Sequence, residues 1–167
     1  FIKAAEYHDL NGVIRVCADN PFLDMSSLGL LIKEFNSRDI DYLSFQTSDR
    51  TPVIKTHFGF WSEAVTLESL RRVSRLTTDI YYREHVTNFI YENFEEFNCE
   101  FLEIPKFLEN KKIRLTIDTK TDFDIARTVY SQVENKLDFS ISDIYSIVMS
   151  NDGWLKLMDK EINEQKK

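Results

Sequence analysis

The chain has 167 residues, enough for one domain with a hydrophobic core, and its 43% hydrophobic and 29% charged residues are ordinary for a soluble globular protein. No apolar run approaches the roughly 20 residues of a membrane-spanning helix, and the first residues resemble an amphipathic helix more than a signal peptide. The net charge of −7 argues against a general nucleic-acid binder, so we expect a cytoplasmic protein that binds neither a membrane nor nucleic acid.

The first half of the chain alternates between helical and strand-like patterns. Apolar or β-branched runs between turn residues predict strands, and apolar residues at helical spacing predict helices. In chain order, the patterns predict a helix over 1–7, a buried strand over 13–18, a helix over 28–35, a strand over 42–45 and an aromatic strand over 57–61. Asp24 or Ser26 can cap the second of these helices.

The second half continues the alternation. Its patterns predict, in order, a helix from Thr66 or Glu68 through 76, a helix over 79–93, strands over 99–104 and 113–117, and helices over 121–133, 140–149 and from 152 onward. Thr121 and Asp124 have the spacing of a capping box for the first of the last three helices. Ser140 or Ser142 can cap the next one.

This alternation predicts one α/β domain over 1–167, with a mixed sheet covered by helices on both faces in three layers. The last part, 140–167, could form a helical appendage. Cys17 and Cys99 both fall in predicted buried strands, so we expect two reduced thiols rather than a disulfide. Neither a C-x-x-C pair nor a His-rich cluster indicates zinc.

Two aspartates follow predicted strands and are candidates for metal binding. Asp19 comes after the strand over 13–18, and Asp118 after the strand over 113–117. In open α/β sheets, ligands bind outside the carboxyl ends of strands, where two carboxylates could share one Mg²⁺. Equally, each aspartate could simply begin a turn or cap a helix.

Other chemical signals are weaker. Glu84 and His85 place a carboxylate beside an imidazole that could bind an acidic sugar or move a proton, although a helix-surface pair is an equal alternative. His8 and His57 are predicted to be structural. With four glycines and neither a G-x-x-x-x-G-K-[ST] nor a G-x-G-x-x-G motif, the chain carries no phosphate-binding loop of those types.

Three segments, in order, resemble the cytidylyltransferase family. Residues 13–24 are similar to a family strand that ends in an aspartate, residues 83–91 to the family pattern R-E-H-V-T, and residues 114–123 to the pattern R-L-T-V-D-T. Within the family, the segments resemble the group of spore coat polysaccharide biosynthesis protein F, related to the synthetases of CMP-activated acidic sugars. Asn20 and Lys120-Thr121 depart from the family pattern, which leaves the substrate open.

This resemblance implies a nucleotide-diphospho-sugar transferase (GT-A-like) fold and transfer of a cytidylyl group from CTP to a sugar. It makes Asp19 and Asp118 the Mg²⁺ ligands, and it makes Glu63, Glu84 and His85 candidates for the sugar side. Arg114 is expected to be structural, paired with a carboxylate. Family members often form homodimers, and the aromatic run over 57–61 would suit a subunit contact.

Family members begin with a strand and a loop rich in Gly, Arg and Lys that holds the nucleotide. No such segment occurs in this sequence, so we expect the chain alone to have little or no transferase activity. Two alternatives stay open. One is a non-catalytic assembly domain of the same fold, and the other is a glycosyltransferase, for which 122–124 would supply the D-x-D motif.

Overall fold

The computed structural model describes residues 1–109, 112–133 and 139–164. Within them, four strands form one mixed sheet in the order β1-β3-β2-β4. The strands are β1 Gly12–Arg15, β2 Tyr42–Gln46, β3 Glu63–Thr66 and β4 Cys99–Glu103. The central strand β3 is antiparallel to both β1 and β2, whereas β2 and β4 are parallel.

Helices cover both faces of this sheet, as predicted. The helices are α1 Ile2–Tyr7, α2 Met25–Ser37, α3 Leu67–Leu76, α4 Ile80–Glu84, α5 Asn88–Glu92, α6 Lys120–Gln132, α7 Ile141–Met149 and α8 Asp152–Glu164. The mixed α/β fold class inferred from the sequence is therefore confirmed. No helix within the described ranges is long and apolar enough to cross a membrane.

The alternating side chains of β2 divide the core into two clusters. Leu43 and Phe45 belong to a cluster that includes Leu31 of α2 and buried residues of the last three helices. Tyr42 belongs to a second cluster with Val65 of β3 and residues of α3 and α5. Each buried side chain of this size stabilises the fold by about 1.5–3 kcal/mol. Helices α7 and α8 contribute Ile144, Val148 and Met158 to the first cluster.

Most helix starts agree with the predicted caps. The Asp24 carboxylate accepts from the amide of Ser27, 2.7 Å away, and Thr66 caps α3 in the same way. A capping box of Ser140 and Asp143 begins α7. Each cap satisfies an amide that would otherwise lack an intrahelical partner.

The capping box predicted at Thr121 and Asp124 is wrong. Helix α6 begins two residues earlier, with Thr119 as the cap and Asp122 as its partner. Asp124 instead lies on the exposed side of the first turn, close to Lys120 and Arg127. The shift has a physical cause, because the Asp122 carboxylate also binds a buried arginine described below.

Two predicted strands, over 57–61 and 113–117, are irregular segments outside the sheet. They run beside each other, and the amides of Leu115 and Thr116 both donate to the His57 carbonyl at 2.8 and 3.3 Å. Gly59 interrupts any regular ladder, because its φ of 73° is in the left-handed region. The strand that follows, β3, was not predicted as a strand.

The predicted strand over 13–18 and helix over 79–93 also need correction. Strand β1 ends at Arg15 and is a half-buried edge strand, so Cys17 lies outside it. The helix is broken into α4 and α5, with Thr87 between them. At this break the buried side chain of Thr87 contacts the carboxylate of Glu63.

The large side chains of the aromatic run over 57–61 point into the core of this chain. Phe58, Phe60 and Trp61 are all buried in the core cluster of the same chain. The side chains that suggested a contact therefore stabilise the fold internally. Cys99, at the start of β4, is half-buried, and burial, followed by the nearby Asp41, raises the pKa of its thiol to about 12.

Candidate active site

The two predicted metal-binding aspartates lie on neighbouring loops. Asp19 is in a turn after β1, and its carbonyl oxygen accepts a hydrogen bond of 2.9 Å from the amide of Ile117. Asp118 is the next residue. The backbone thus places the two positions next to each other, and metal binding by their carboxylates stays a prediction.

Arg114 is the centre of a buried polar network behind Asp118. Its side chain is fully buried, and its Nε and Nη2 atoms donate to the two carboxylate oxygens of Asp122 at 2.8 and 2.9 Å. Nη2 also donates to Oδ2 of Asp118 at 2.8 Å. A bidentate pair of this kind fixes geometry as well as charge. The structural role predicted for Arg114 is confirmed.

The remaining nitrogen of the Arg114 guanidinium, Nη1, contacts His57. Nη1 lies 2.7 Å from Nδ1 of the imidazole. A guanidinium can only donate, so His57 accepts at Nδ1 and is neutral, with its proton on Nε2. His57 therefore has the structural role predicted from the sequence, and its ring supports the guanidinium from the loop before β3.

Charge in this network is fixed by its hydrogen bonds. Burial alone would raise the pKa of Asp122, but hydrogen bonds from Arg114 and from the amides of Asp118 and Thr119 lower it below its ordinary value. Burial likewise opposes the charge of Arg114, yet its carboxylate partners raise the pKa of the guanidinium. Both groups stay ionised, and the hydrogen bond from Arg114 fixes one oxygen of the Asp118 carboxylate.

Glu63, a predicted sugar-side residue, is buried at the start of β3 with 1% of its surface exposed. Arg15, its cross-strand partner on β1, donates to Oε1 at 2.5 Å. The hydroxyl of Thr87 donates to the same oxygen at 2.9 Å, and the hydroxyl of Tyr42 donates to Oε2. Burial, followed by the charge of Glu63, raises the pKa of Tyr42, which keeps its hydroxyl a donor.

Sequence reasoning missed Arg15, Tyr42 and Thr87 as members of this site. The signal for Thr87 was present, because it is the last residue of the R-E-H-V-T segment that suggested Glu84 and His85. Arg15 could have been found as a lone charge inside an apolar run.

A cavity of about 50 Å³ lies between these groups. Arg15, Asp19 and Glu63 line it, together with polar residues that include Asn20, Ser62 and Thr116. Asp19 and Glu63, two of the predicted site residues, therefore face one cavity. Asp118 is not among its lining residues and lies just beyond it, with 33% of its side chain exposed.

The other two predicted sugar-side residues are placed differently. Glu84 is the last residue of α4, and its side chain falls outside the described part. His85 follows it, half-buried, with its ring 5.1 Å from the ring of Tyr81. His85 is not among the residues described as lining the cavity, and Thr87 of the same segment contacts Glu63, which does line it.

Comparison with known proteins identifies the family of this chain. A family model described as "Cytidylyltransferase" matches residues 1–147, which include Asp19, Glu63 and Asp118. The chain belongs to the cytidylyltransferase family. The resemblance noted in the sequence is thereby confirmed, and the match covers every strand of the sheet.

Two individual proteins are similar to most of this chain. The spore coat polysaccharide biosynthesis protein SpsF of Bacillus subtilis is 29% identical over 152 residues, 90% of this chain and 60% of that protein. An uncharacterized protein of Methanocaldococcus jannaschii is 31% identical over 148 residues, 89% of this chain and 56% of that protein. The chain thus spans less than two thirds of the length of these relatives.

A solved structure supports the fold as well. The cytidylyltransferase from Leptospira borgpetersenii serovar Hardjo-bovis has a TM-score of 0.77 and 26% identity, over 92% of this chain and 62% of that one. The glycosyltransferase alternative needs residues 122–124 as a D-x-D metal-binding motif. Asp122 is instead bound to Arg114, and Asp124 pairs with Lys120 at the surface of α6. Residues 122–124 therefore do not form a D-x-D metal site.

Proposed function

We propose that this chain provides the metal-binding and sugar-binding part of an enzyme that transfers a cytidylyl group from CTP to a sugar, in the synthesis of a polysaccharide. The observation that carries the proposal is the backbone hydrogen bond from Ile117 to Asp19, which places Asp118 beside a residue that lines the cavity although the two aspartates are far apart in the sequence. Family membership and the likeness to SpsF support the same reaction.

Asp19 and Asp118 supply the kind of ligand that a magnesium ion prefers. Carboxylate oxygens are hard ligands, and Mg²⁺ commonly uses one or two carboxylates together with water and substrate phosphates. No group of three or more potential ligands occurs within the described ranges, so water and substrate phosphates would have to complete the coordination of an ion held by these two carboxylates. When bound, Mg²⁺ would neutralise charge on the transferring phosphate and favour ionisation of the sugar hydroxyl.

The protein's own contribution is to hold these groups in place. Arg114 anchors one carboxylate oxygen of Asp118 and so limits the directions in which that carboxylate can turn. Glu63 orients Arg15 at the wall of the cavity. Preorganised charges of this kind lower a barrier because they need not reorganise during the reaction. We assign Glu63 to the sugar side on this basis, and roles for Glu84 and His85 stay predictions.

Metal binding is the sharpest test of the proposal. Mn²⁺, which shares the oxygen preference of Mg²⁺, can be titrated into the protein and its free fraction followed by electron paramagnetic resonance. We expect Asp19→Asn and Asp118→Asn each to weaken Mn²⁺ binding about tenfold or more, because each removes a charged oxygen ligand. Arg114 keeps its pair with Asp122 in the second variant, so the fold should persist.

Asp39→Asn is the matched control, since Asp39 is exposed in the loop before β2, away from the cavity. Its Mn²⁺ affinity should equal that of the wild type. Equal affinities in all four proteins would contradict the proposal and favour a non-catalytic assembly domain. Low transferase activity of the chain alone, a homodimer and a cytoplasmic location stay predictions from the sequence.

A further inference from the structure

Arg15 is a cation in the wall of the cavity beside Asp19, and part of its hydrogen-bonding capacity is unused. Its Nη1 donates to Glu63 at 2.5 Å. Within the described ranges, Nε and Nη2 donate no hydrogen bond to the protein, and both keep accessible surface. The side chain as a whole is 17% exposed. A ligand in the cavity can therefore reach guanidinium N–H groups that the protein leaves without an acceptor.

Glu63 determines where these N–H groups point. Its side chain is only 2% exposed, and its two oxygens accept hydrogen bonds from Arg15, Thr87 and Tyr42. A carboxylate bound by donors from three different segments has little freedom to turn, so the guanidinium paired with it is also held. Burial alone would lower the pKa of Arg15, but Glu63 raises it above its ordinary value, so the side chain is cationic. Glu63 thus acts on a ligand through Arg15.

The charge around the cavity depends on the divalent ion proposed at Asp19 and Asp118. Arg15 and Glu63 balance each other, as do the two members of the buried ion pair next to Asp118. Without the ion, the two aspartates leave an excess of negative charge that repels an anion. With the ion bound, that excess is neutralised. An anion can then be held by the ion on one side and by the unused N–H groups of Arg15 on the other.

The dimensions of the cavity favour a phosphate group as this anion. Asp19 follows Arg15 by four residues, so their Cα atoms are at most about 14 Å apart. The volume of about 50 Å³ is far below the roughly 300–1,000 Å³ of a pocket that encloses a whole ligand, so the cavity takes one group of a substrate. A phosphate has several charged oxygens, so one can bind a metal ion while another accepts from a guanidinium.

We propose that Arg15 binds a phosphate oxygen of the nucleotide substrate, in the cavity where the metal-bound phosphate meets the sugar side assigned to Glu63. The inference rests on the proposed function, because it requires the ion at Asp19 and Asp118. Glu63 is a positioning residue in this arrangement. A nucleotide contact thus lies within this chain, although its sequence has neither a G-x-x-x-x-G-K-[ST] nor a G-x-G-x-x-G motif.

Calorimetric titration with tripolyphosphate, the phosphate chain of CTP, tests this contact. The probe is added as its equimolar Mg²⁺ complex. Arg15→Lys keeps a cation beside Glu63 but loses the planar fork that suits phosphate, so the affinity should fall several-fold. Arg15→Gln combined with Glu63→Gln removes both charges of the pair, so no buried charge is left without its partner. Here we expect a fall of about tenfold or more, as for the loss of a hydrogen bond to a charged group.

Two comparisons separate loss of the contact from loss of the fold. Arg75→Gln combined with Glu68→Gln removes an exposed ion pair of 2.8 Å on α3 and is the matched control, which should bind tripolyphosphate like the wild type. The Mn²⁺ affinity without tripolyphosphate should be the same in the wild type and in both Arg15 variants, because Arg15 is not a metal ligand. A merely structural role of Arg15 would lower the affinities for Mn²⁺ and tripolyphosphate together and would overturn the inference.

Three other results would also overturn it. One is equal tripolyphosphate affinity in the wild type and both Arg15 variants, and another is no binding to the wild type. The third is equal affinity with and without Mg²⁺, which would place the anion away from Asp19.

Glucuronate, titrated in the presence of Mg²⁺, distinguishes a sugar carboxylate from a phosphate. If the Arg15 variants lose glucuronate binding and keep tripolyphosphate binding, Arg15 contacts an acidic sugar and the phosphate assignment is wrong. The Mn²⁺ titration of the aspartate variants separates such a failure from failure of the proposed function. If Mn²⁺ binding depends on Asp19 and Asp118, the enzyme proposal stands whatever Arg15 does. If it does not, the proposed function itself fails.

Discussion

At the scale of single residues, Arg114 has the largest influence on the candidate site. Burial of a guanidinium is unfavourable by several kcal/mol unless its partners are well placed, and here they come from both sides of the candidate site. Asp118 and Asp122 lie on the loop and helix that follow it, and His57 lies on the segment before β3. The same network that stabilises the fold therefore positions a proposed metal ligand.

Asp122→Asn tests this network. We expect the free energy of unfolding at pH 7 to fall by about 3 kcal/mol, the lower end of the range for breaking a buried ion pair, because Asp118 still faces Arg114. The pKa of Asp122 is lower in the folded state than its ordinary value. Its stabilisation is thus present above an ordinary pKa of about 3.9 and is lost as the pH falls through the folded-state pKa.

Urea unfolding of wild type and variant between pH 7 and pH 3 measures both effects. The difference between the two proteins should shrink as the pH is lowered. A difference that is constant over this range would show that the charge of Asp122 is not what stabilises the fold. Asp39→Asn, at an exposed position, should change stability by less than about 0.5 kcal/mol at pH 7.

At the scale of elements, the irregular segments over 57–61 and 113–117 determine where Asp118 lies. They approach so closely at Gly59 that an added Cβ would come within 2.9 Å of the carbonyl carbon and oxygen of Leu115. The positive φ of Gly59 excludes a side chain for a second, independent reason. Backbone packing at one glycine therefore sets the path of the loop that carries the carboxylate.

Gly59→Ala should destabilise the protein by about 1–3 kcal/mol, because it combines a left-handed backbone with a steric clash. Gly29→Ala is a matched control that we expect to change stability in the opposite direction. Gly29 is in the middle of α2, exposed, with open space where a Cβ would be, so alanine should stabilise by about 0.5–1 kcal/mol. Thermal and urea unfolding check both changes, and equal effects would contradict this account.

The break between α4 and α5 is the second element that affects the site. It places the buried hydroxyl of Thr87 against Glu63. Thr87→Val keeps the shape and removes the hydroxyl, so we expect a loss of about 1–3 kcal/mol from leaving the carboxylate less satisfied. Thr87→Ser keeps the hydrogen bond and should cost only about 0.8 kcal/mol for the lost methyl group.

Urea unfolding of the two Thr87 variants gives the comparison. If serine is as destabilising as valine, the methyl group contributes as much to stability as the hydroxyl, which would contradict the expected dominance of the hydrogen bond to Glu63.

At the scale of the whole molecule, local patterns predicted the fold class, most helix starts and the meeting of Asp19 with Asp118. Those features depend on residue periodicity, short-range capping and the family resemblance. The errors lie where long-range contacts decide the structure. A run such as 113–117 is apolar enough for a strand, but Gly59 keeps its neighbour out of regular pairing. The pairing of Arg15 with Glu63 could not be predicted, because it depends on β3, which the sequence patterns did not predict as a strand.

The family match ends at residue 147, yet the folding unit continues beyond it. Met158 of α8 is buried in the main cluster, and its sulfur accepts from the backbone amide of Arg114, 3.5 Å away. A helix outside the matched region thus touches the residue that anchors Asp118. The folding unit therefore extends further along the chain than the family match. A chain shortened to residues 1–147 would lose Met158, expose part of the core, and remove a contact that supports Arg114.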